Sequence, residues 1–198
     1  MEKIQRMKVL EKKITYQEFR EMDFDDSDGA WYELINGNLV RKQSPTLDHQ
    51  LVSGELEFLM MAYAKKSGLG KVLHAPMDGV LDDNNAYHPD IFFVKKERYF
   101  IFDEKEKVVI GAPDLVVEIL SKSTAADDKG DKRDNYEKFG VREYWLVDPI
   151  RKSIEVYALV NERFKLISYL EENGVLKSSV LEGFEMDIEQ VFAEAKVS

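Results

Sequence analysis

Thirty-eight acidic and 28 basic side chains in 198 residues give a net charge of −10, and the chain holds no cysteine. This excludes a disulfide scaffold, a cysteine-ligated zinc or iron–sulfur centre and a thiol nucleophile. It also excludes tight nucleic-acid binding through bulk charge alone, so any such activity must come from a local site.

With 44% apolar residues the composition is globular, and the length fits one domain. Residues 1–13 read as a lead, disordered or loosely packed, ahead of a single domain over residues 14–198. The start of the chain has no apolar run of the roughly 7–15 residues that a signal peptide needs, and no window approaches the roughly 20 of a membrane span. The expectation is a soluble, cytoplasmic protein with no membrane partner.

Thr15 with Glu18 three positions on is a capping box, which predicts a short helix over residues 16–22. Residues 31–35, the pair Asn36-Gly37 and residues 39–42 predict a hairpin, because Asn-Gly supplies the positive φ angles of a type I′ turn. Ser44-Pro45 reads as an N-cap with a first-turn proline. Beyond it Leu51, Val52, Leu56, Leu59, Met60 and Tyr63 recur at helical spacing, which gives a helix of about five turns ended by Gly68 and Gly70.

Strands are expected at 71–74, 79–81, 87–94 and 115–120. The last is apolar on both faces except for Glu118, as in a central strand covered by helices. A second helix is expected over 127–139, closed by Gly140, and a buried strand over 144–147 that places Tyr144 and Trp145 in the core. Residues 153–157, 163–169 and 175–180 suggest an antiparallel meander with Asn173-Gly174 at one turn. Asp187 with Gln190 caps a last helix over 188–195. The class is α/β or α+β with a central mixed sheet.

Glu118 is the anomaly in this pattern. A buried carboxylate must be paired, protonated or ligating a metal. It is either half of a buried ion pair or a functional acid held on a rigid strand. Asp90, after Pro89 and ahead of another apolar run, is a second rigidly mounted acid. If the two strands are neighbours, the carboxylates converge, within roughly 5 Å if they share a metal, and their repulsion calls for a cation; oxygen ligands favour Mg²⁺ or Mn²⁺. Asp114 is the reserve acid, read as a strand-end cap. Past Glu118, Lys129, Lys132, Arg133 and Lys138 are balanced by Asp127, Asp128, Asp131, Asp134 and Glu137, mostly a solvated helix face. Lys132, however, shares a face with Tyr136 and Phe139, which turns it toward the sheet.

Several stretches resemble one family. They are Tyr32-Glu33-Leu34-Ile35-Asn36-Gly37, Ser44-Pro45 with His49-Gln50, and Pro89-Asp90, followed by the run from Pro113 through Glu118 to Ser121. Asp131-Lys132 with Tyr136 and the run from Gly140 to Pro149 complete the set. Together they resemble the Uma2 (DUF820) family of candidate endonucleases from about residue 15 to residue 192. The resemblance implies the restriction-endonuclease-like fold of the PD-(D/E)xK superfamily. It implies that Asp90 and Glu118 are catalytic and metal-binding acids, with Glu33 a further metal-site acid. The superfamily lysine two residues past the second acid is replaced here by Leu120, so the resemblance assigns that role to Lys132 from the following helix, with Lys122 as the alternative. His49, Ser121 and Tyr136 are the possible substrate-contacting residues.

The expected function is Mg²⁺-dependent (or Mn²⁺-dependent) endonucleolytic hydrolysis of DNA by an activated water. DNA binding is expected to be weak and salt-sensitive, and the protein a homodimer. The competing expectation is a catalytically inactive nuclease-fold module acting in protein or nucleic-acid interaction.

Overall fold

The computed structural model describes residues 12–24, 27 and 29–193. Most of the predicted lead, residues 1–11, therefore lies outside the described residues, as do residues 194–195 of the last predicted helix.

The first helix, α1 (Tyr16–Arg20), begins at the predicted box: Thr15 accepts from Glu18 N, and Glu18 reaches back to Thr15 N at 3.0 Å. It ends two residues earlier than expected. Strands β1 (Trp31–Ile35) and β2 (Asn38–Lys42) pair antiparallel across Asn36-Gly37, whose φ angles of 51° and 73° are those of the expected turn. The long helix α2 (Leu47–Ser67) starts later than Ser44-Pro45 suggested. Its cap is Thr46, whose hydroxyl accepts from His49 N, and Ser44 instead donates to Gly29 O.

The main sheet has the order β12-β11-β10-β9-β6-β3. It comprises β3 (Gly70–His74), β6 (Ile91–Lys95), β9 (Leu115–Ile119), β10 (Glu143–Asp148), β11 (Ser153–Val160) and β12 (Arg163–Glu171). Only the β9–β10 pairing within it is parallel, in a register that sets Leu146 beside Glu118. A second sheet, in the order β2-β1-β5-β4-β8-β7, adds β4 (Gly79–Asp82), β5 (Asn85–Tyr87), β7 (Phe102–Asp103) and β8 (Val108–Ile110). The expected strand 87–94 is thus two strands in two sheets. Pro89 lacks the N–H that a continuous ladder requires, and Asp90 sits at the break.

The meander holds for β11 and β12, but β13 (Val175–Lys177) leaves it to pair with β14 (Glu185–Asp187). The last helix, α5 (Ile188–Ala193), follows directly, and Asp187 accepts from Glu189 N at 3.0 Å as a cap. The helix expected over 127–139 is broken into α3 (Ala125–Lys129) and α4 (Asp131–Phe139). Gly130 makes the break; a Cβ there would meet Ala126 O at 2.8 Å.

Alternation along β9 assigns its side chains to two cores. Leu115, Val117 and Ile119 join Trp145 and Val147 beneath α2 and α5, while Val116 and Leu120 face Tyr136, Tyr144 and Leu146. Glu118 falls by parity on the second face, under α4. Tyr144 and Trp145 are fully buried, as expected. Among the described residues no helix is long and apolar enough to cross a membrane.

Candidate active site

Three segments of chain meet over the C-terminal end of β9: the β1–β2 hairpin, the start of α2, and α3–α4. They enclose a cavity of about 350 Å³ with Glu33, Lys42, Asp90, Glu118, Asp128 and Lys132 among its lining. Hydrogen bonds hold α4 in place. Asn135 Nδ2 donates to Asn85 Oδ1 (3.0 Å), Tyr87 O–H (2.8 Å) and Asn36 Oδ1 (3.1 Å), which ties the helix to β5 and to the β1–β2 turn. This anchoring turns Lys132, three residues earlier on the helix, into the molecule.

Lys132 is 2% exposed, and its Nζ lies 2.6 Å from Glu118 Oε1, 3.3 Å from Glu33 Oε1 and 3.4 Å from Asp128 Oδ1. It also sits 5.4 Å from the centre of the Tyr87 ring, a cation–π contact. Tyr136 O–H donates to Glu118 Oε1 at 2.8 Å from behind, and its side chain does not reach the cavity. Glu33 accepts from His88 N (2.9 Å) and pairs with a second buried lysine, Lys42, at 3.3 Å. Lys42 in turn donates to Asp127 Oδ2 at 2.8 Å. Buried Glu33 Oε2 and Asp128 Oδ1 have no hydrogen-bond donor, only these ionic neighbours.

Asp90 approaches the same place from the other strand. Its Oδ2 accepts from Ile119 N at 2.7 Å, the residue after Glu118, and lies 3.2 Å from His49 Nε2. The structure therefore brings Asp90, Glu118, Lys132, Glu33 and His49 together. Ser121 and Lys122 lie at the mouth, past the end of β9. Ser121 Oγ is engaged with Ser123 (3.0 Å) and Thr124 (3.1 Å), and Lys122 is exposed. Asp114 is elsewhere: it accepts from Lys95 N at 2.9 Å and is flanked by Arg98 and Arg142, a clasp at the start of β9.

Two members of the cluster, Asp128 and Lys42, are not singled out by the sequence reading. Asp128 precedes Lys132 by four, the helical pairing interval, but it stands in a run of balanced charges that resembles a solvated face. Lys42 ends an exposed-looking strand, and only the packing of α3 against it buries it.

Charge sets the protonation of this cluster. Burial, followed by the like charges of Asp128, Asp90 and Glu33, raises the Glu118 pKa well above the usual carboxylate range against the pull of Lys132. Burial works likewise on Asp128. Burial also opposes the charged form of Lys132, yet Glu118 and Glu33 outweigh it and raise that pKa. Glu33 is lowered despite its burial, because both lysines and the His88 amide face it.

Among the described residues no three His, Asp or Glu side chains group into a ready-made metal site. The donor chemistry still fits a hard divalent cation. Asp90 and Glu118 line one cavity as oxygen donors, Asp90 keeps a partly exposed carboxylate, and the acids of the cluster outnumber its lysines.

A mixed sheet flanked by helices, with one acid on β9 and another just ahead of the adjacent β6 on the lining of one cavity, fits the restriction-endonuclease-like class. Within that class the chain belongs to the Uma2 family, described as "putative restriction endonuclease", which it matches over residues 16–189. The fold is similar to that of a solved protein from Anabaena variabilis ATCC 29413, described as a putative nuclease belonging to DUF820. That similarity has a TM-score of 0.73 at 20% identity and covers 91% of this chain and 98% of the other. No curated protein matches the chain.

Proposed function

We propose that the protein is a metal-dependent endonuclease that hydrolyses DNA phosphodiester bonds with an activated water. One observation carries the reading. Glu118 on β9 and Asp90 just ahead of β6 share a cavity with the ammonium of Lys132, a charge set that burial alone makes costly and that structural need does not explain.

Asp90 and Glu118, with the main-chain carbonyl beside Glu118 and Glu33 as a further acid, would hold Mg²⁺ or Mn²⁺, which supplies Lewis-acid activation of the phosphate and of water. The protein's own groups do the rest. The Ile119 amide and His49 fix the orientation of Asp90. Tyr136 fixes Glu118 from behind. Lys132, kept cationic by its acidic neighbours, stands where negative charge develops on the phosphorus oxygens during attack, and needs no reorganisation to do so. Glu33 and Asp128 hold that ammonium in place, and Lys42 pairs with Glu33 from another direction. A homodimer, with two such sites, would be called for only if both strands of a duplex were cut.

The test is cleavage of circular DNA, both supercoiled duplex and single-stranded, with Mg²⁺ or Mn²⁺. Wild type is expected to cut at least one form, and Asp90→Ala and Glu118→Ala neither. Equal cleavage by all three proteins, or none by any, sinks the enzymatic reading and leaves the nuclease-fold interaction module, which the replacement of the superfamily lysine by Leu120 favours.

A further inference from the structure

The mouth of the cavity is built differently from its floor. Its walls present hydroxyls: Ser44 and Thr46 on one side, Ser121, Ser123 and Thr124 on the other. Of the lysines that line it, Lys42 and Lys132 are buried in the ion network, and Lys122 alone is exposed. No Arg is among the lining residues. Duplex DNA is held through many phosphates at once, each neutralised by a Lys or Arg, and the affinity falls steeply when these are few. This mouth cannot supply that row of contacts, and a chain with a net charge of −10 does not supply it elsewhere by bulk attraction.

Size points the same way. Glu118 lies deep in the cavity, 3% exposed, while Asp90 on the same lining keeps 17% of its side chain exposed. A scissile phosphate must therefore enter a space of about 350 Å³, room for on the order of one nucleotide and near the lower end of ligand-pocket volumes. A rigid duplex is too wide to lower one of its phosphates into such a space, whereas a single strand can bend in.

At the rim stands Trp31, the first residue of β1. It is half-buried, lines this cavity, and among the described residues belongs to none of the hydrophobic core clusters and has no aromatic neighbour. Also on the lining, Ile150 is 75% exposed beside Pro149. A tryptophan that packs into no core and borders a site of nucleotide size is a stacking surface. Single-stranded nucleic acid is gripped in part by stacking its bases on aromatic rings, a contact that does not depend on base sequence.

We propose that the site takes a single-stranded segment of DNA, with the base next to the scissile phosphate stacked on Trp31 and the phosphate passing between the two hydroxyl-bearing walls. This rests on the nuclease reading above for the fate of the strand, but not for its binding.

The experiment uses a mixed-sequence oligonucleotide, single-stranded or annealed into a blunt duplex, with the full chain in Ca²⁺. Trp145 is fully buried, so changes in tryptophan emission report Trp31. The single strand is expected to quench this emission and to bind, by anisotropy, at least tenfold more tightly than the duplex. Trp31→Phe is expected to keep most of that affinity and Trp31→Ala to lose it about tenfold. With Mn²⁺ in place of Ca²⁺, the single strand is expected to be cut at least tenfold faster. Binding of the single strand without cleavage supports this inference and contradicts the nuclease reading. Cleavage of the duplex as fast as the single strand, or binding indifferent to Trp31→Ala, overturns the inference and leaves the nuclease standing. Binding of neither form overturns it as well.

Discussion

Two glutamates occupy adjacent strands of the same sheet, both almost inaccessible to solvent, and they lead different lives. Glu143, on β10, faces the α2–α5 side. Its Oε1 accepts from Trp145 Nε1 at 2.7 Å, and its Oε2 accepts from Ser179 N at 2.8 Å and from the Ser179 hydroxyl. Every bond is to a neutral donor, and the carboxylate staples the segment after β13 to the sheet. Glu118, on β9, faces the other side, where it meets one ammonium, one phenol and the opposing charges of Asp128, Asp90 and Glu33. Burial of a carboxylate does not by itself indicate function. Burial among other carboxylates, at the floor of a cavity, does.

The contrast breaks most readily at Lys132. Lys132→Met leaves Glu33, Glu118 and Asp128 buried without their shared cation. Stability to denaturant is expected to fall by about 3–5 kcal/mol, the usual cost of breaking a buried ion pair from one side. A loss under about 1 kcal/mol would mean that the network is solvated and that Lys132 is not its centre.

The second test sets the glutamates against each other. Glu118→Gln is expected to cut cleavage by about 10²–10³-fold, roughly 3–4 kcal/mol in the barrier, with stability held or raised because a charge opposed by its neighbours is gone. Glu143→Gln points an amide N–H₂ at groups that are themselves donors. It is expected to cost about 1–3 kcal/mol of stability while the folded molecules cleave at the wild-type rate. Equilibrium unfolding and cleavage rates on the same preparations read both. A reversed pattern would make Glu118 the staple.

Tyr136→Phe removes the one bond from Tyr136 O–H to Glu118. About 1 kcal/mol of stability and a several-fold loss of cleavage are expected, without a change in substrate affinity.

The smallest effect lies far from the site. At the exposed start of α1, the Lys12 ammonium and the Thr15 amide and hydroxyl hold the Glu18 carboxyl down at about 2. Because this folded-state pKa is depressed, the capping contribution is fully present above the ordinary carboxylate range and is lost as pH falls through about 2. A carboxyl carbon titration by NMR is expected to show that midpoint for Glu18; an ordinary midpoint would mean that the box is open.

The elements that position the site were legible where local chemistry dominates. The Asn36-Gly37 turn, the capping box of Thr15 and Glu18 and the apolar run around Glu118 each carry their own signal, and the shared face of Lys132 and Tyr136 followed from helical spacing. The misplaced boundaries lie where backbone bonding decides between neighbours. Thr46 rather than Ser44 caps α2, Gly130 divides a helix whose charge pattern runs on through it, and Pro89 separates two strands whose composition is continuous. Asp128 and Lys42 were illegible for a different reason. Lys42 is buried against Asp127, 85 residues away, and Glu33, and Asp128 against Lys132, contacts made only once the segments pack. No local pattern distinguishes them from solvated neighbours.

Asp90 and Glu118 are expected to hold a cation that Glu143 does not. Titration with Mn²⁺, followed by the electron paramagnetic resonance signal of the free ion, measures this without any substrate. Wild type and Glu143→Gln are expected to bind Mn²⁺ equally, and Asp90→Asn and Glu118→Gln to bind it at least tenfold more weakly. Binding that is absent from wild type, or unchanged in the Asp90 and Glu118 variants, would contradict the account.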